Sequence, residues 1–318
     1  MLNFYQKLTD KLQSQSVVVA TVIAIKGSVP REVGAKMLIG SDWTFDTIGG
    51  GAGEAKIIEQ GRLVLMTGQK QFTTIDLTGD VETLKEGICG GQMSLWLECW
   101  SGPEAVALAQ EILSLLKHGQ SVQLLTPFTP ANIPTIIQSA HTTRQTQLST
   151  TNFIEYLQPP PLLLIVGAGH VGKALAKVAY LAGFQIAIHD ERPEFANTHH
   201  YPQASFISTQ SIDQTLLDIS PSANLFVALV TRGYSLDLAV LSSLFKQNVV
   251  CRYIGMMGSQ KRVQMVLNTL RDQGVSDIYL DSIHTPIGAD IGALTPGEIA
   301  VSIGAELIQI RRSVPTNL

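Results

Sequence analysis

A glycine-rich loop in the second half of the chain has the spacing of a phosphate-binding turn. Gly167, Gly169 and Gly172 form the pattern G-x-G-x-x-G between an apolar segment, 162–166, and an expected helix. The first glycine of this pattern permits a tight turn, the second lets backbone N–H groups approach a diphosphate, and the third allows the helix to pack closely on the strand. The N-terminus of the helix also favours an anion. The pattern predicts a nucleotide-type site; the alternative is a domain of the same fold that has lost its ligand.

Three side chains are expected to border this loop. Asp190 ends the next expected strand, 23 residues after Gly167, where a carboxylate accepts hydrogen bonds from ribose hydroxyls and repels a 2′-phosphate. His170 opens the helix beside the phosphate position, either as an additional anion contact or as a helix residue that faces solvent. Arg232 follows the fourth expected strand of this half and could clamp a phosphate there. The sequence therefore predicts ligand contacts at the carboxyl ends of these strands.

The first half of the chain contains a second group of candidate ligand-binding residues in glycine-rich loops. They are Arg31, Gly49, Gly50, Gly51, Cys89, Gly90 and Gly91. Three consecutive glycines at the start of an expected helix expose N–H groups and could form a second anion-binding nest. Arg31 could add a bidentate guanidinium contact to a phosphate. Glu54, in the first turn of the same helix, could instead cap its own helix.

Cys89 is the candidate reactive thiol. Two glycines follow it and would allow a ligand to approach closely, and neighbouring N–H groups or a guanidinium would lower its pKa and favour the thiolate. The alternative is a small buried residue, since unpaired cysteines are often buried. Cys99 and Cys251 lie in apolar segments and are interpreted as buried residues. Three cysteines in 318 residues provide no disulfide framework, and no cysteine and histidine spacing matches a zinc site.

The composition indicates a globular protein. Lys and Arg total 22 against 26 for Asp and Glu, a net charge of −4, while charged residues make up 15% and apolar residues 45%. Such a chain has too few charges for a disordered segment or a coiled coil, and its acidic balance argues against general nucleic-acid binding. The most apolar run, 17–25, is shorter than the roughly 18–20 residues that span a membrane. We expect a cytoplasmic protein with free thiols.

The alternation of strands and helices changes near the middle of the chain. Residues 1–150 are predicted to form a mixed α/β domain, residues 151–161 a linker that ends in three prolines, and residues 162–318 a second domain. Apolar strands alternate with helices in the second domain, which predicts a doubly wound parallel sheet. Expected strands include 43–48 and 249–254. Thr295, Pro296 and Glu298 have the spacing of a capping box at the start of the last helix.

Taken together, these motifs resemble the XdhC/CoxI family. The chain contains the segments GSVPREVGAKM, TIGGG, CGG, LLIVGAGHVG, HDERPEFA, YIGMMGSQKR and PIGADIGALTPGEIAVSIGAEL. The resemblance covers nearly the whole chain and implies an N-terminal XdhC/CoxI domain followed by a C-terminal Rossmann-like domain. It also implies a non-catalytic accessory protein that binds molybdenum cofactor, as molybdopterin or its dinucleotide form. Such a protein shields the cofactor while a cysteine desulfurase installs the terminal sulfur, and delivers it to a xanthine dehydrogenase-type apo-hydroxylase.

The resemblance suggests roles for the candidate residues. Cys89 would lie near the molybdenum, and the second anion nest would hold the phosphate of the pterin. The Rossmann-like domain could take NAD or another nucleotide. Asp290, between Gly288 and Gly292, could face a cleft between the domains or form an Asx-turn.

One segment departs from the family pattern. Relatives often carry His and Asp after the position of Thr231, whereas this chain has Arg232 and Gly233, so its client enzyme could differ. Two other functions stay open: an NAD-dependent oxidoreductase and a nucleotide-binding assembly factor. The first lacks a Tyr-x-x-x-Lys pattern and a convincing His and Asp pair to move the proton that accompanies hydride. A homodimer is a further prediction, which no periodic pattern of apolar residues supports.

Overall fold

The computed structural model describes residues 1–77, 90–129, 133–137, 145–219 and 224–313, and the chain divides into two compact units, Met1–Pro159 and Pro160–Leu318. Each unit has its own main sheet with a hydrophobic cluster on either face. Within the described ranges, no helix is both long and apolar enough to cross a membrane.

The first unit is built on an antiparallel sheet. Its elements are α1 (Leu2–Leu12), β1 (Val17–Lys26), β2 (Lys36–Ile39), β3 (Thr44–Phe45), α2 (Gly51–Thr67), β4 (Gln71–Asp76), β5 (Gln92–Trp100) and α3 (Gly102–Lys117). The strand order is β3-β2-β1-β5-β4. Val17 and Val19 pack with α1 and α3 on one face, and Val18 and Ala20 pack with α2 on the other. Because both faces are covered, β1 is a continuous apolar run rather than an alternating one.

A smaller antiparallel sheet completes this unit. It contains β6 (Val122–Pro127), β7 (Thr135–Ile136), β8 (Gln147–Leu148) and β9 (Asn152–Leu157), in the order β7-β6-β9-β8. Strand β9 lies inside the predicted linker 151–161, because Phe153, Glu155 and Leu157 are buried at every second position while the residues between them are only partly covered. That alternation is the pattern of a half-buried strand, so the linker as predicted is too long at its N-terminal end.

The second unit is a doubly wound parallel sheet, as the sequence predicted. Its elements are β10 (Leu162–Val166), α4 (His170–Leu181), β11 (Gln185–His189), β12 (Ala204–Ser208), α5 (Ile212–Asp218), β13 (Leu225–Leu229), α6 (Tyr234–Lys246), β14 (Tyr253–Met256), α7 (Gln260–Asp272), α8 (Asp277–Asp281), β15 (Ile283–His284) and α9 (Pro296–Arg312). The strand order is β12-β11-β10-β13-β14-β15, and every pairing is parallel. Helices α4 and α9 cover one face, and α5 to α8 cover the other.

Two strand boundaries differ from the prediction. The expected strand 249–254 begins only at Tyr253, because the ladder with β13 starts at that residue and Val250 is exposed. The expected strand 43–48 is reduced to Thr44–Phe45. By contrast, the capping box is confirmed: the hydroxyl of Thr295 accepts from the N–H of Glu298, and the carboxylate of Glu298 accepts from the N–H of Thr295.

Candidate functional site

The carboxyl ends of β10 and β13 form the switch point of the parallel sheet. From β10 the sheet continues to β11 and β12 on one side, and to β13, β14 and β15 on the other. Open sheets of this order bind ligands in the crevice beyond the carboxyl ends of the strands at this point. The loop after β10 carries Gly167 and Gly169, the loop after β11 carries Asp190, and the loop after β13 carries Arg232. The structure thus brings these predicted residues to one edge of the sheet.

Close backbone contacts explain the glycines of the first loop. Gly167 has φ +108°, and a Cβ on it would lie 2.8 Å from the carbonyl oxygen of Val230 on the neighbouring strand. A Cβ on Gly172 would lie 2.1 Å from the carbonyl oxygen of Gly167. Gly169 is the N-cap of α4 and faces open space. This loop therefore has the shape that lets a ligand approach the N-terminus of the helix.

Asp190 is buried beneath this loop and its carboxylate is already bonded. One oxygen accepts from the N–H of Ala168 at 2.8 Å and from Nη2 of Arg192 at 2.8 Å. The other accepts from Nε of Arg192 at 2.8 Å and from the N–H of Arg192 at 3.1 Å. Burial alone would raise the pKa of Asp190, but the hydrogen bonds from Arg192 and Ala168 outweigh it and lower the pKa. Asp190 is therefore a carboxylate that holds the glycine loop and Arg192 together.

This arrangement does not match the role that the sequence predicted for Asp190. A carboxylate has about four lone-pair positions, and the chain itself fills four of them. In this conformation no acceptor position is left for ribose hydroxyls, and the guanidinium of Arg192 offsets the negative charge that was expected to repel a 2′-phosphate. The sequence analysis included Arg192 only as part of the segment HDERPEFA and predicted no contact for it. Its position two residues after Asp190, which follows the end of a strand, is the signal that could have identified the ion pair of Asp190 and Arg192.

A buried carboxylate also organises the loop after β13. Asp237 is fully buried, accepts a hydrogen bond from the hydroxyl of Thr231, and lies 3.3 Å from Nε of Arg262. Burial raises the pKa of Asp237, although Thr231 and Arg262 act in the opposite direction. Arg262 donates to the carbonyl oxygens of Thr231 and Met257 and so ties the loops after β13 and β14 together. Arg232 extends from this braced loop into solvent.

The remaining two predicted residues of this half are exposed. His170 lies on the first turn of α4 and faces solvent, which leaves it accessible to a ligand without showing a contact. Asp290 is exposed too, and its carboxylate accepts no hydrogen bond from the part of the chain that the structure describes. The Asx-turn considered for Asp290 is therefore not formed.

Three glycine-rich loops of the first unit meet at one place. A Cβ on Gly91 would lie 2.4 Å from the carbonyl oxygen of Ser28, so the 90–91 segment packs directly on the loop after β1. A Cβ on Gly49 would lie 2.4 Å from Cγ of Pro30. Arg31 donates from Nε to the carbonyl oxygen of Thr47 at 3.0 Å. The structure therefore brings Arg31, the 49–51 loop and the 90–91 loop together, as a shared ligand site requires.

The side chain of Glu54 occupies part of the predicted anion nest. Its carboxylate accepts from the hydroxyl of Thr47, from the N–H of Ile48 at 3.0 Å and from the N–H of Gly50 at 3.1 Å. Burial would raise the pKa of Glu54, but these hydrogen bonds outweigh it and lower the pKa. Glu54 therefore caps the loop before its own helix, and the N–H groups of Ile48 and Gly50 are not available to a ligand in this conformation.

The three cysteines differ in what the structure shows of their positions. Cys89 lies outside the described residues, directly before Gly90. Cys99 is half-buried in β5, and burial raises the pKa of its thiol. Cys251 precedes β14 rather than lying within it, and burial raises its pKa to about 12. Among the described residues, no group of three or more His, Cys, Asp or Glu side chains could hold a metal ion.

Replacing Gly91 with alanine is expected to lower the free energy of unfolding by about 1–3 kcal/mol, because overpacking forces the backbone to move. The added Cβ would meet the backbone oxygens of Ser28 and Lys26 at 2.4 and 2.7 Å. Gly297→Ala is the matched control, since Gly297 faces open space within α9, where alanine favours the helix. Chemical denaturation compares the two variants, and equal stability of Gly91→Ala and the unmodified chain would contradict the close contact.

Comparison with known proteins places the chain among related sequences. The model of the XdhC and CoxI family matches residues 12–76, and the model of the XdhC Rossmann domain matches residues 163–307. The uncharacterized protein YqeB of Escherichia coli K12 is 28% identical over 314 residues, which cover 97% of this chain and 46% of that protein. This chain thus spans less than half of that relative's length.

Two Bacillus proteins match along their whole length. A Bacillus subtilis 168 protein, named as a probable subunit of xanthine dehydrogenase, is 28% identical over 342 residues, which cover 99% of each chain. A crystal structure of a Bacillus halodurans protein called a xanthine dehydrogenase has the same fold, with a TM-score of 0.82 at 24% identity, covering 99% of this chain and 97% of that one. The matches of both family models, in the expected order along a chain with this fold, show that the protein belongs to the XdhC and CoxI family.

Proposed function

We propose that this protein takes part in the maturation of a xanthine dehydrogenase-type molybdenum hydroxylase by binding molybdenum cofactor in its first unit and delivering it to the apo-hydroxylase. Membership of the XdhC and CoxI family supports this role, as does the name of the Bacillus subtilis relative. The observation that carries the proposal is the meeting of the loops that contain Arg31, Gly49–Gly51 and Gly90–Gly91.

Arg31 is the residue best suited to the phosphate of the pterin. Its Nε is used by the carbonyl oxygen of Thr47, which fixes the guanidinium beside the 49–51 loop and leaves the terminal nitrogens for an anion. Gly50 and Gly51 are exposed and face open space next to it. The ionised Glu54 beside them would repel a phosphate and so limit the affinity that the loops provide. A limited affinity suits a protein that has to hold its cargo and later release it.

Cys89 is proposed as the thiolate ligand of the molybdenum. It is the residue before Gly90, and Gly90–Gly91 is one of the three loops that meet. The cofactor would be held there, shielded from water, while a cysteine desulfurase installs the terminal sulfur. The protein would act as an accessory protein without turnover of its own. A homodimer remains a prediction.

Anaerobic purification of the full chain from a host that makes molybdenum cofactor tests the proposal. We expect the protein to carry molybdenum, measured by mass spectrometry, and a pterin, measured by fluorescence. Cys89→Ala is expected to lose most of its molybdenum, retain the pterin and activate an apo-hydroxylase poorly. Cys251→Ala is the control, because partial burial raises the pKa of this thiol to about 12 and so disfavours the thiolate at neutral pH.

Two outcomes would count against parts of this proposal. Absence of both molybdenum and pterin from the unmodified protein would contradict cofactor binding. Equal molybdenum content in the unmodified protein and Cys89→Ala would remove the thiolate ligand and leave cofactor binding to the loops.

A nucleotide-binding assembly factor is the second candidate function. The glycine-rich loop 167–172, at the switch point of the parallel sheet, favours it. It predicts nucleotide binding without molybdenum, and partner binding that changes with the nucleotide. An NAD-dependent oxidoreductase is less well supported, since the carboxylate that would hold the ribose is already bonded within the chain.

A further inference from the structure

We propose that the Rossmann domain binds an adenine dinucleotide that carries a phosphate monoester on its adenosine ribose, as NADP(H) does, in preference to the unphosphorylated NAD(H). The residues that determine this preference are Asp190 and Arg192. This inference concerns the second unit alone and does not depend on the cargo proposed for the first.

Asp190 cannot select the ribose diol in the geometry of this structure. Its two carboxylate oxygens accept four hydrogen bonds, from the N–H of Ala168 and from the backbone and guanidinium of Arg192. A ribose with free hydroxyls would have to displace Arg192 from a bidentate, charge-assisted contact before it could bind the carboxylate. The cost of that displacement lowers the affinity for NAD(H).

Arg192 is positioned to bind an anion at the same place. A guanidinium has five N–H donors, and the Asp190 carboxylate uses two of them, so three remain. The side chain is about half exposed, with 49% of its surface accessible, and its guanidinium rests 4.3 Å from the centre of the Phe195 ring. Asp190 and Phe195 together hold the guanidinium in place. In domains with this fold, an arginine near the strand-ending acid accommodates a 2′-phosphate.

The charges around Arg192 are mixed, which limits how the preference can arise. Glu191 and Glu194, on either side of Arg192 in the chain, are exposed carboxylates. The positive charge of Lys173 on α4 is directed to another residue, since its Nζ lies 3.0 Å from Nδ1 of His200. Net charge alone therefore gives no strong attraction for a phosphate. The preference has to come from the planar donors of the guanidinium, so it should be lost when the arginine is replaced, even by another cation.

Two separate anion positions favour a dinucleotide over a simple phosphate ester. The glycine-rich loop 167–172 and the N-terminus of α4 suit a diphosphate. Arg192, which follows the neighbouring strand β11, suits a phosphate monoester. A ligand with only one phosphate, such as inorganic phosphate or a pterin monophosphate, could use only one of the two positions. A 2′-phosphorylated dinucleotide could use both.

Isothermal titration calorimetry of the full chain with NADPH, NADH and inorganic phosphate tests this proposal. NADPH is expected to bind roughly ten-fold or more tightly than NADH, and inorganic phosphate far more weakly than either. Arg192→Gln is expected to abolish the preference for NADPH over NADH, because it frees Asp190 to bind the ribose of NADH. Arg192→Lys is expected to lose most of this preference. Arg271→Gln is the matched control: Arg271 is also a half-exposed arginine paired with an aspartate, but it lies at the C-terminal end of α7.

The unmodified protein alone can overturn the proposal, whether or not the variants fold. Equal or tighter binding of NADH, binding of inorganic phosphate as tight as that of NADPH, or no binding of NADPH would each contradict it. So would a preference for NADPH that survives Arg192→Gln. None of these results depends on the molybdenum content, so a failure here is distinct from a failure of the proposed maturation role.

Discussion

Replacing Lys36 with methionine is expected to lower the free energy of unfolding of the first unit by about 3–5 kcal/mol, the cost of breaking a buried ion pair from one side. Nζ of Lys36 lies 2.8 Å from Oε2 of Glu155 and donates to the hydroxyl of Thr21 at 3.0 Å. The two charged side chains are only 5% and 4% exposed. Without the ammonium, Glu155 would be an uncompensated buried charge.

Urea denaturation followed by tryptophan fluorescence measures this effect in the right unit, because Trp43, Trp96 and Trp100 all lie in the first unit. The double variant Lys36→Met with Glu155→Met is the control. It removes both charges, and replacing a whole buried pair by apolar side chains is often neutral. We therefore expect the double variant to recover most of the lost stability. A single variant as stable as the unmodified protein would contradict the account.

The same ion pair supports the candidate cofactor loops. Lys36 begins β2 directly after the loop that carries Arg31, and a Cβ on Gly34 would lie 3.2 Å from Oε1 of Glu155. Glu155 belongs to β9 in the small sheet, so the pair joins that sheet to the end of the loop. Loss of Lys36 should consequently loosen the Arg31 loop as well as destabilise the unit.

Much of the fold could be predicted because the deciding patterns are local. The apolar segment 162–166, the glycine loop and the alternating helices predict the doubly wound sheet without knowledge of any distant contact. The capping residues of α9 predict its start to the residue. Strand β9 was not predicted as a strand, because the charged residue Glu155 occupies one of its buried positions. The partner that compensates this charge, Lys36, lies more than a hundred residues earlier in the chain.

The ligand contacts could be predicted only in part. Glycine spacing located both loop systems, because close backbone approach is a property of residue type. The sequence could not predict which N–H groups and carboxylates are already hydrogen-bonded within the chain. That depends on the conformation of side chains in the folded structure. Glu54 folds back onto the N–H groups of Ile48 and Gly50, and Arg192 folds back onto Asp190. In both places a charged side chain of the protein itself occupies part of the site that a ligand was expected to fill.

The second large effect is expected from Asp190→Asn, which should lower the free energy of unfolding of the second unit by about 2–4 kcal/mol at neutral pH. An asparagine amide presents an NH₂ group where the carboxylate accepts hydrogen bonds. It cannot replace both the bond from Ala168 and the bidentate contact with Arg192. Chemical denaturation followed by circular dichroism measures the loss.

The effect should depend on pH in a defined direction. The pKa of Asp190 in the folded protein lies below the value of about 3.9 for an unfolded chain. A group of this kind contributes stability that is complete above the unfolded pKa and is lost as pH falls through the folded pKa. The stability difference between the unmodified protein and Asp190→Asn should therefore be constant from pH 7 to about pH 5 and shrink below about pH 4.

Asp218→Asn separates this effect from a general consequence of removing a carboxylate. Asp218 lies in the same unit but is exposed and accepts a hydrogen bond only from the side chain of Gln214 among the described residues. Its replacement should change the free energy of unfolding by less than about 0.5 kcal/mol at any pH. If Asp190→Asn were no more destabilising than Asp218→Asn, the bonds to Ala168 and Arg192 would not hold the glycine loop. The selection of a phosphorylated dinucleotide by this pair would then lose its structural basis.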